Sequence, residues 1–196
     1  MKSEDAKRVI RAALQPGSVV QSAIGDLAVI NEHAEGGNSL VYQLRDDSRR
    51  EYAMKVLTED VGTTDSNKAR RFRSEFKSML ILSSTDSVVP VYCYGHLERD
   101  KGLFPYVVME WMPRTLEQYV GNVRVSSPDA LGRILRSLLR CLSVAHRMGV
   151  VHRDLKPANV LMKEDGSLVL SDFGIAWLDP KRCGVDPFVK TRFLRF

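Results

Sequence analysis

The chain has 196 residues, 44% of them hydrophobic and 27% charged, which is enough apolar side chain to bury a core in one domain of one or two lobes. Apolar runs such as Tyr106 to Met109 and Val150 to Val151 fall far short of the roughly 18 residues a membrane span needs, and no membrane association is expected. The net charge of +5 comes from scattered arginines without an aromatic-interleaved basic motif, so nucleic acid is not an expected partner either.

The start, Met1-Lys2-Ser3-Glu4-Asp5, is charged and lacks the apolar centre of a secretory signal, which predicts a cytoplasmic chain. Cys93, Cys141 and Cys183 stand far apart, without zinc-site pairs or an even count, and read as reduced thiols.

Ala6, Val9, Ile10, Ala13 and Leu14 recur at helical spacing, and Gln15-Pro16-Gly17 stops that helix, so residues 1–16 are expected to form a helical extension ahead of the domain. Leu27 to Asn31, Leu40 to Leu44 and Tyr52 to Leu57 read as strands of an antiparallel meander, with Asp46-Asp47-Ser48 turning between the second and third. Phe72, Phe76, Met79, Leu80 and Leu82 define a helix over Asn67 to Leu82, whose beginning carries Lys68, Arg70, Arg71 and Arg73. Two further strands, Val89 to Tyr94 and Tyr106 to Glu110, flank the polar turn from Glu98 to Gly102.

After Pro113 the pattern becomes helical. Ser126 or Ser127 can cap a helix opened by Pro128, in which Leu131, Ile134, Leu135, Leu138, Leu142 and Ala145 form one apolar stripe, expected to be buried, and Gly149 closes it. Arg133, Arg136 and Arg140 occupy a solvated face. Val160 to Met162 and Leu168 to Leu170, joined by Glu164-Asp165-Gly166, form a hairpin that presents Asp172 just past its second strand.

The chemistry is concentrated in His152-Arg153-Asp154-Leu155-Lys156-Pro157-Ala158-Asn159 and in Ser171-Asp172-Phe173-Gly174. The first run resembles the catalytic loop of eukaryotic-type (Hanks-type) serine/threonine protein kinases, and the second their metal-binding triplet at the expected distance. The resemblance implies an α+β, two-lobed fold: a five-stranded antiparallel sheet plus helix over residues 17–112, including the hinge, and a partial, mainly helical lobe over 113–196. It implies ATP and Mg²⁺ as cofactors and a protein with Ser or Thr hydroxyls as substrate. In those roles Asp154 would accept the hydroxyl proton, Lys156 would sit beside the transferring phosphoryl, and Asn159 and Asp172 would hold magnesium. Lys156 followed by Pro157 resembles the serine/threonine class.

Tyr52-Ala53-Met54-Lys55-Val56 is similar to the strand whose lysine meets the α- and β-phosphates, and Glu75 lies where that lysine's partner belongs. In Ala34-Glu35-Gly36-Gly37-Asn38-Ser39-Leu40-Val41, Ala34 and Ser39 take the places of the first and third glycines of the phosphate-covering loop, and only the central glycine stands, with Gly37 beside it. Val108-Met109-Glu110-Trp111-Met112 resembles the hinge, with Met109 as gatekeeper and backbone groups of Glu110 and Met112 facing the adenine edge. Val41, Ala53 and Leu161 would sandwich the ring, and Met79, Val91, His152 and Phe173 fall where the family stacks its regulatory spine.

Arg153 resembles the arginine that pairs with a phosphate on the activation segment, for which Thr191 is the candidate hydroxyl. The resemblance runs from about Leu27 to about Ile175, which predicts a C-lobe ending within the activation segment, with a protein partner, or a tail carrying Phe188, Phe193 and Phe196, covering the apolar helix. Two readings follow: a serine/threonine kinase, or a nucleotide-binding regulatory or scaffold protein without peptide phosphorylation.

Overall fold

The computed structural model describes residues 3–62, 66–99, 102–122, 127–174 and 176–179. Thr191, Cys183, Ser126 and the phenylalanine-bearing tail lie outside the described residues.

The first lobe is built on a six-stranded sheet with antiparallel neighbours: β1 (Val19–Ser22), β2 (Gly25–Glu35), β3 (Ser39–Arg45), β4 (Glu51–Leu57), β5 (Val91–Arg99) and β6 (Gly102–Glu110), in the order β1-β2-β3-β4-β6-β5. The sequence pattern predicts five of these. The sixth, β1, is too short to show alternation, since only Val20 is buried in it. It exists because a tight turn returns it to β2, with Gly25 at φ 113° and Ser22 Oγ donating to the Gly25 carbonyl at 2.7 Å.

Alternation along β4 divides the lobe into two cores. Tyr52, Met54 and Val56 face one side of the sheet, whereas Ala53 and Leu57 belong to the cluster on the other side. The first side is covered by helix α1 (Ser3–Ala13), which places Ala6 and Ile10, followed by Leu14, against Leu27, Leu40, Tyr42 and Leu44. Burying a side chain of the size of Ile or Leu contributes about 1.5–3 kcal/mol as an upper range, so α1 is part of the lobe's core. Gly17, at φ 87°, then turns the chain so that its N–H donates to the Val29 carbonyl.

The second side receives helix α2 (Asn67–Leu82), capped by Ser66, whose hydroxyl accepts from the Ala69 N–H at 3.1 Å. Its inward positions are Phe72, Glu75, Met79 and Leu82. Leu80, read in sequence as part of the apolar pattern, points outward and is 52% exposed.

Below the sheet, β7 (Arg114–Thr115) leads into helix α3 (Leu116–Asn122), and helix α4 (Pro128–Arg147) follows. Ser127 occupies the position before α4 in extended conformation, without a side-chain cap bond, and Gly149 at φ 76° ends the helix. The expected apolar stripe of α4 is split. Ile134, Leu138, Cys141, Leu142 and Ala145 pack on the core, whereas Leu131 and Leu135 are about half exposed, at 50% and 48%. The core touches α4 along a band narrower than the sequence pattern, centred on Cys141 and Ala145.

Next comes β8 (Val150–Val151), then a 3-10 turn (Pro157–Asn159), and the hairpin of β9 (Val160–Met162) and β10 (Leu168–Leu170), paired with Leu168 opposite Met162. A last strand, β11 (Trp177–Leu178), pairs with β8. Cys141 Sγ donates to the Leu168 carbonyl at 3.1 Å, tying α4 to the hairpin. The two lobes meet where Leu170 donates to the Ser87 carbonyl and accepts from the Val89 N–H. No described helix is long and apolar enough to cross a membrane.

Candidate active site

Between the lobes lies a cavity of about 730 Å³, a volume typical of sites for small organic ligands. β4 and α2 converge on its upper wall. Lys55, on the cleft-facing side of β4, donates to Glu75 Oε1 at 2.6 Å and to Asp172 Oδ1 at 3.1 Å. The helical repeat that buries Phe72 and Met79 also turns Glu75 inward, where it is 6% exposed. Burial acts to strip the Lys55 ammonium of its proton, but the carboxylates of Glu75 and Asp172 outweigh it and hold the pKa above its ordinary value. Glu75 is pushed up by burial and by its neighbour Asp172, against the pull of Lys55. Two carboxyl groups thus share one ammonium at the edge of the cleft.

The lower wall is the loop from His152 to Asn159. Asn159 Nδ2 donates to the Asp154 carbonyl at 2.9 Å and to Asp154 Oδ2 at 3.0 Å, and Lys156 Nζ donates to the same Oδ2 at 3.0 Å. Hydrogen bonding to the Lys156 ammonium, and then to the Asn159 amide, holds the Asp154 carboxyl below its usual range. The His152 ring accepts from the Asp154 N–H through Nδ1 at 3.3 Å, so its Nε2 carries the proton donated to the Ser171 carbonyl at 2.8 Å. The Ser171 N–H and hydroxyl both donate to the Asn159 carbonyl, at 2.9 and 3.1 Å. These bonds lock the loop to the strand end that carries Asp172. Arg153 and Asp172 adopt left-handed backbone conformations, at φ 64° and 59°, which disfavour residues with a Cβ and which the bonds around them maintain.

Magnesium prefers hard oxygen ligands and keeps several waters or phosphate oxygens. The donor set fits: Asp172 contributes a carboxylate, and both described bonds of the Asn159 side chain use its nitrogen, leaving the carboxamide oxygen for another partner. Among the described residues, no group of three or more His, Cys, Asp or Glu side chains could hold a metal by itself.

The remaining residues expected at the site line the same cavity. Ala34, Gly36, Gly37, Ser39, Val41 and Ala53 lie on the roof, Met109, Glu110 and Met112 at the back, and Leu161 on the floor. The Glu110 N–H is donated to the Pro90 carbonyl, so of its backbone groups only the carbonyl can serve a ligand edge. The turn closes through a bond from the Gly36 N–H to the Ser39 carbonyl at 2.8 Å. Neither of its glycines needs a positive φ, and a Cβ on Gly37 would meet nothing within 4 Å. What their lack of side chains provides is room for close approach of the backbone to a ligand. His152 and Phe173 pack with their rings tilted by 52° and centroids 4.6 Å apart, while Met79, Phe173 and the partly buried Val91 share one core cluster.

The structure adds lining residues that the motifs do not single out. His33 meets Trp111 edge-on, with centroids 4.7 Å apart, bridging the roof strand and the hinge, and Lys68 and Arg71 on α2 line the cavity beside Glu75. The helical spacing of residues 68, 71 and 75 was the available signal for the last two. The His33–Trp111 contact joins positions far apart in sequence and had no such signal.

A two-lobed cleft in which a strand lysine, a helix glutamate and a carboxylate after a hairpin meet above an Asp-Lys-Asn loop defines the protein kinase fold class. The chain matches the protein kinase domain over residues 29–193 and belongs to that family. It is 36% identical over 143 residues to a protein named probable serine/threonine-protein kinase from Streptomyces coelicolor, covering 72% of this chain and 21% of that relative. It is 35% identical over 143 residues to the serine/threonine-protein kinase PknB of Mycobacterium leprae, covering 72% of this chain and 23% of the relative. The chain thus spans about a fifth of the length of the curated relatives it matches.

Proposed function

We propose that this chain carries the ATP-binding and phosphoryl-transfer centre of a serine/threonine protein kinase, with residues 17–112 as the upper lobe and hinge and the lower lobe beginning at 113. The observation that supports this most is the Lys55-Glu75-Asp172 cluster facing Asp154, Lys156 and Asn159 across one cavity. The family membership and the names of the relatives agree with it.

In this reading the adenine lies among Val41, Ala53 and Leu161 against the hinge at Met109, Glu110 and Met112. The turn from Gly36 to Ser39 covers the phosphates, and Lys55, steadied by Glu75, contacts the α- and β-phosphates. Asp172 and Asn159 hold magnesium, which when bound neutralises charge on the phosphates. Asp154 is a carboxylate at neutral pH, aimed by Asn159 and Lys156. It orients the serine or threonine hydroxyl of the protein substrate and receives its proton as that oxygen bonds to the γ-phosphorus. The bond from the γ-phosphorus to the β–γ bridging oxygen breaks and ADP leaves. Lys156 moves from Asp154 to the transferring phosphoryl group and offsets its charge.

The test is transfer of labelled phosphate from ATP to the chain itself and to a generic basic protein, compared with Asp154→Asn and Asp172→Asn. Loss of transfer in both variants is expected, and equal signal in all three would remove the kinase reading.

A further inference from the structure

Helix α1 precedes the stretch that matches the protein kinase domain, and no step of the proposed transfer uses it. Its side chains form two adjacent stripes at four-residue spacing. Ala6, Ile10 and Leu14 enter the core, and Ser3, Lys7 and Arg11 run beside them.

The polar stripe reaches the strand that enters the phosphate-covering turn. Lys7 Nζ donates to Glu35 Oε1 at 2.5 Å and to Glu4 Oε1 at 2.7 Å, although the residue is only 8% exposed. Arg11 donates to both Glu32 oxygens, at 2.9 and 2.7 Å, and to Glu35 Oε2 at 2.7 Å. At the other end, the Ser3 hydroxyl lies 3.3 Å from that of Thr58, whose N–H donates to the Asn38 carbonyl at 2.9 Å. Glu35 and Asn38 bracket Gly36 and Gly37, so α1 holds the turn directly at Glu35 and reaches its Asn38 end only through Thr58.

We infer that α1 is a clamp that sets the phosphate-covering turn over the nucleotide, with Lys7 and Arg11 as positioning residues for nucleotide binding. The inference rests on the reading of the cavity as the ATP site. Two successive glycines leave a turn with many accessible conformations, and binding a nucleotide under it must remove that freedom. A turn already anchored at Glu35 and Asn38 has lost much of it beforehand, so less of the binding free energy is spent on ordering.

Amide hydrogen exchange of the nucleotide-free protein and calorimetric binding of ADP with magnesium test this on Lys7→Ala, Arg11→Ala, Arg11→Lys and Glu35→Gln. Arg8→Ala is the control, because among the described residues the ion pair of Arg8 is with Asp5 on the exposed side of the same helix. Amides of residues 34–39 are expected to exchange several-fold faster in Lys7→Ala, Arg11→Ala and Glu35→Gln. The ADP dissociation constant should rise about threefold or more, the size expected for losing one or two partly exposed ion pairs. Arg11→Lys should recover part of both effects and Arg8→Ala should show neither. If Lys7→Ala loosens the whole helix, seen as lost protection at residues 6–13, Arg11→Ala and Glu35→Gln decide the matter. Unchanged exchange at residues 34–39 in those two variants overturns the clamp, as does faster exchange with unchanged ADP affinity. A parent chain that binds no ADP removes the ATP-site reading and the clamp's role with it, whereas normal parent binding with unaffected variants removes the clamp alone.

Discussion

Lys55 and Asp172 are 117 positions apart in the chain and 3.1 Å apart in space, joined by a hydrogen bond from the ammonium to Oδ1. The same ammonium holds Glu75, so one side chain ties together the sheet, helix α2 and the segment after the hairpin. An arrangement of this kind aligns a cleft only while all three elements stay in place.

Replacing Lys55 by Met removes the charge shared by two carboxylates. Phosphate transfer is expected to fall by about a hundredfold or more, the loss typical when a preorganised charge partner of a transition state is removed. Stability should fall by only about 1–3 kcal/mol, below the usual cost of breaking a buried pair, because Glu75 can take up a proton rather than remain an uncompensated anion. A labelled-phosphate assay and urea unfolding measure the two effects.

The pH dependence of transfer should reflect the Lys156–Asp154 contact. A carboxyl whose pKa is held down stays ionised as pH falls through the ordinary aspartate range, so the acid limb of kcat/KM for the parent lies below that range. In Lys156→Met the largest cause of the depression is gone, and the limb should move up towards about pH 4. An acid limb that stays put in the variant would dissociate Asp154 from the proton transfer.

Asn159 both aims Asp154 and, in the proposed chemistry, offers an oxygen to magnesium. Asn159→Ala should raise the magnesium concentration needed for half-maximal transfer by about tenfold. It should leave thermal stabilisation by nucleotide without metal nearly unchanged. Titration of magnesium in both assays separates these outcomes.

Gly95 on β5 sits under the ring of Tyr106, which is 4% exposed. A Cβ there would lie 2.5 Å from both Cζ and the hydroxyl oxygen of that tyrosine, and a buried ring cannot step aside as a flexible chain end would. Gly95→Ala is therefore expected to destabilise the lobe by about 1–3 kcal/mol through overpacking, read by urea unfolding.

The ion pairs of α1 should weaken in acid. Arg11 holds Glu32 below the ordinary carboxylate range, and Lys7, then Arg11, does so for Glu35. Groups depressed in the folded state stabilise it fully above their unfolded pKa of about 4.3 and lose that contribution as pH falls through the lower folded value. The melting-temperature difference between the parent and a Lys7→Ala/Arg11→Ala double variant should thus be full at neutral pH, begin to narrow below about pH 4.3 and close only as pH falls through the lower folded values.

Much of this molecule was legible in the order of its residues. The helices over Asn67–Leu82 and Pro128–Arg147 and the hairpin before Asp172 follow from periodicity and turn residues, because those signals act within a few positions of one another. The motifs around Lys55, Asp154 and Asp172 marked the cavity wall for a similar reason: each is a short, continuous segment whose residue types and spacing can be read without knowing what it meets in space.

Partners distant in the chain were decided by the tertiary structure. The two-residue strands β7, β8 and β11 have no pattern of their own and exist only through the strands they meet. The outward turn of Leu80, Leu131 and Leu135 depends on how wide the contact with the core is, which no periodicity states. Likewise the amphipathic spacing of residues 3–14 predicted a helix, but not that its apolar stripe would cover the face of β4 that carries Tyr52, Met54 and Val56, or that Lys7 would find Glu35. Local propensity and pattern are encoded in neighbouring residues, whereas the choice of a partner dozens of positions away is made by packing and charge when the whole chain folds.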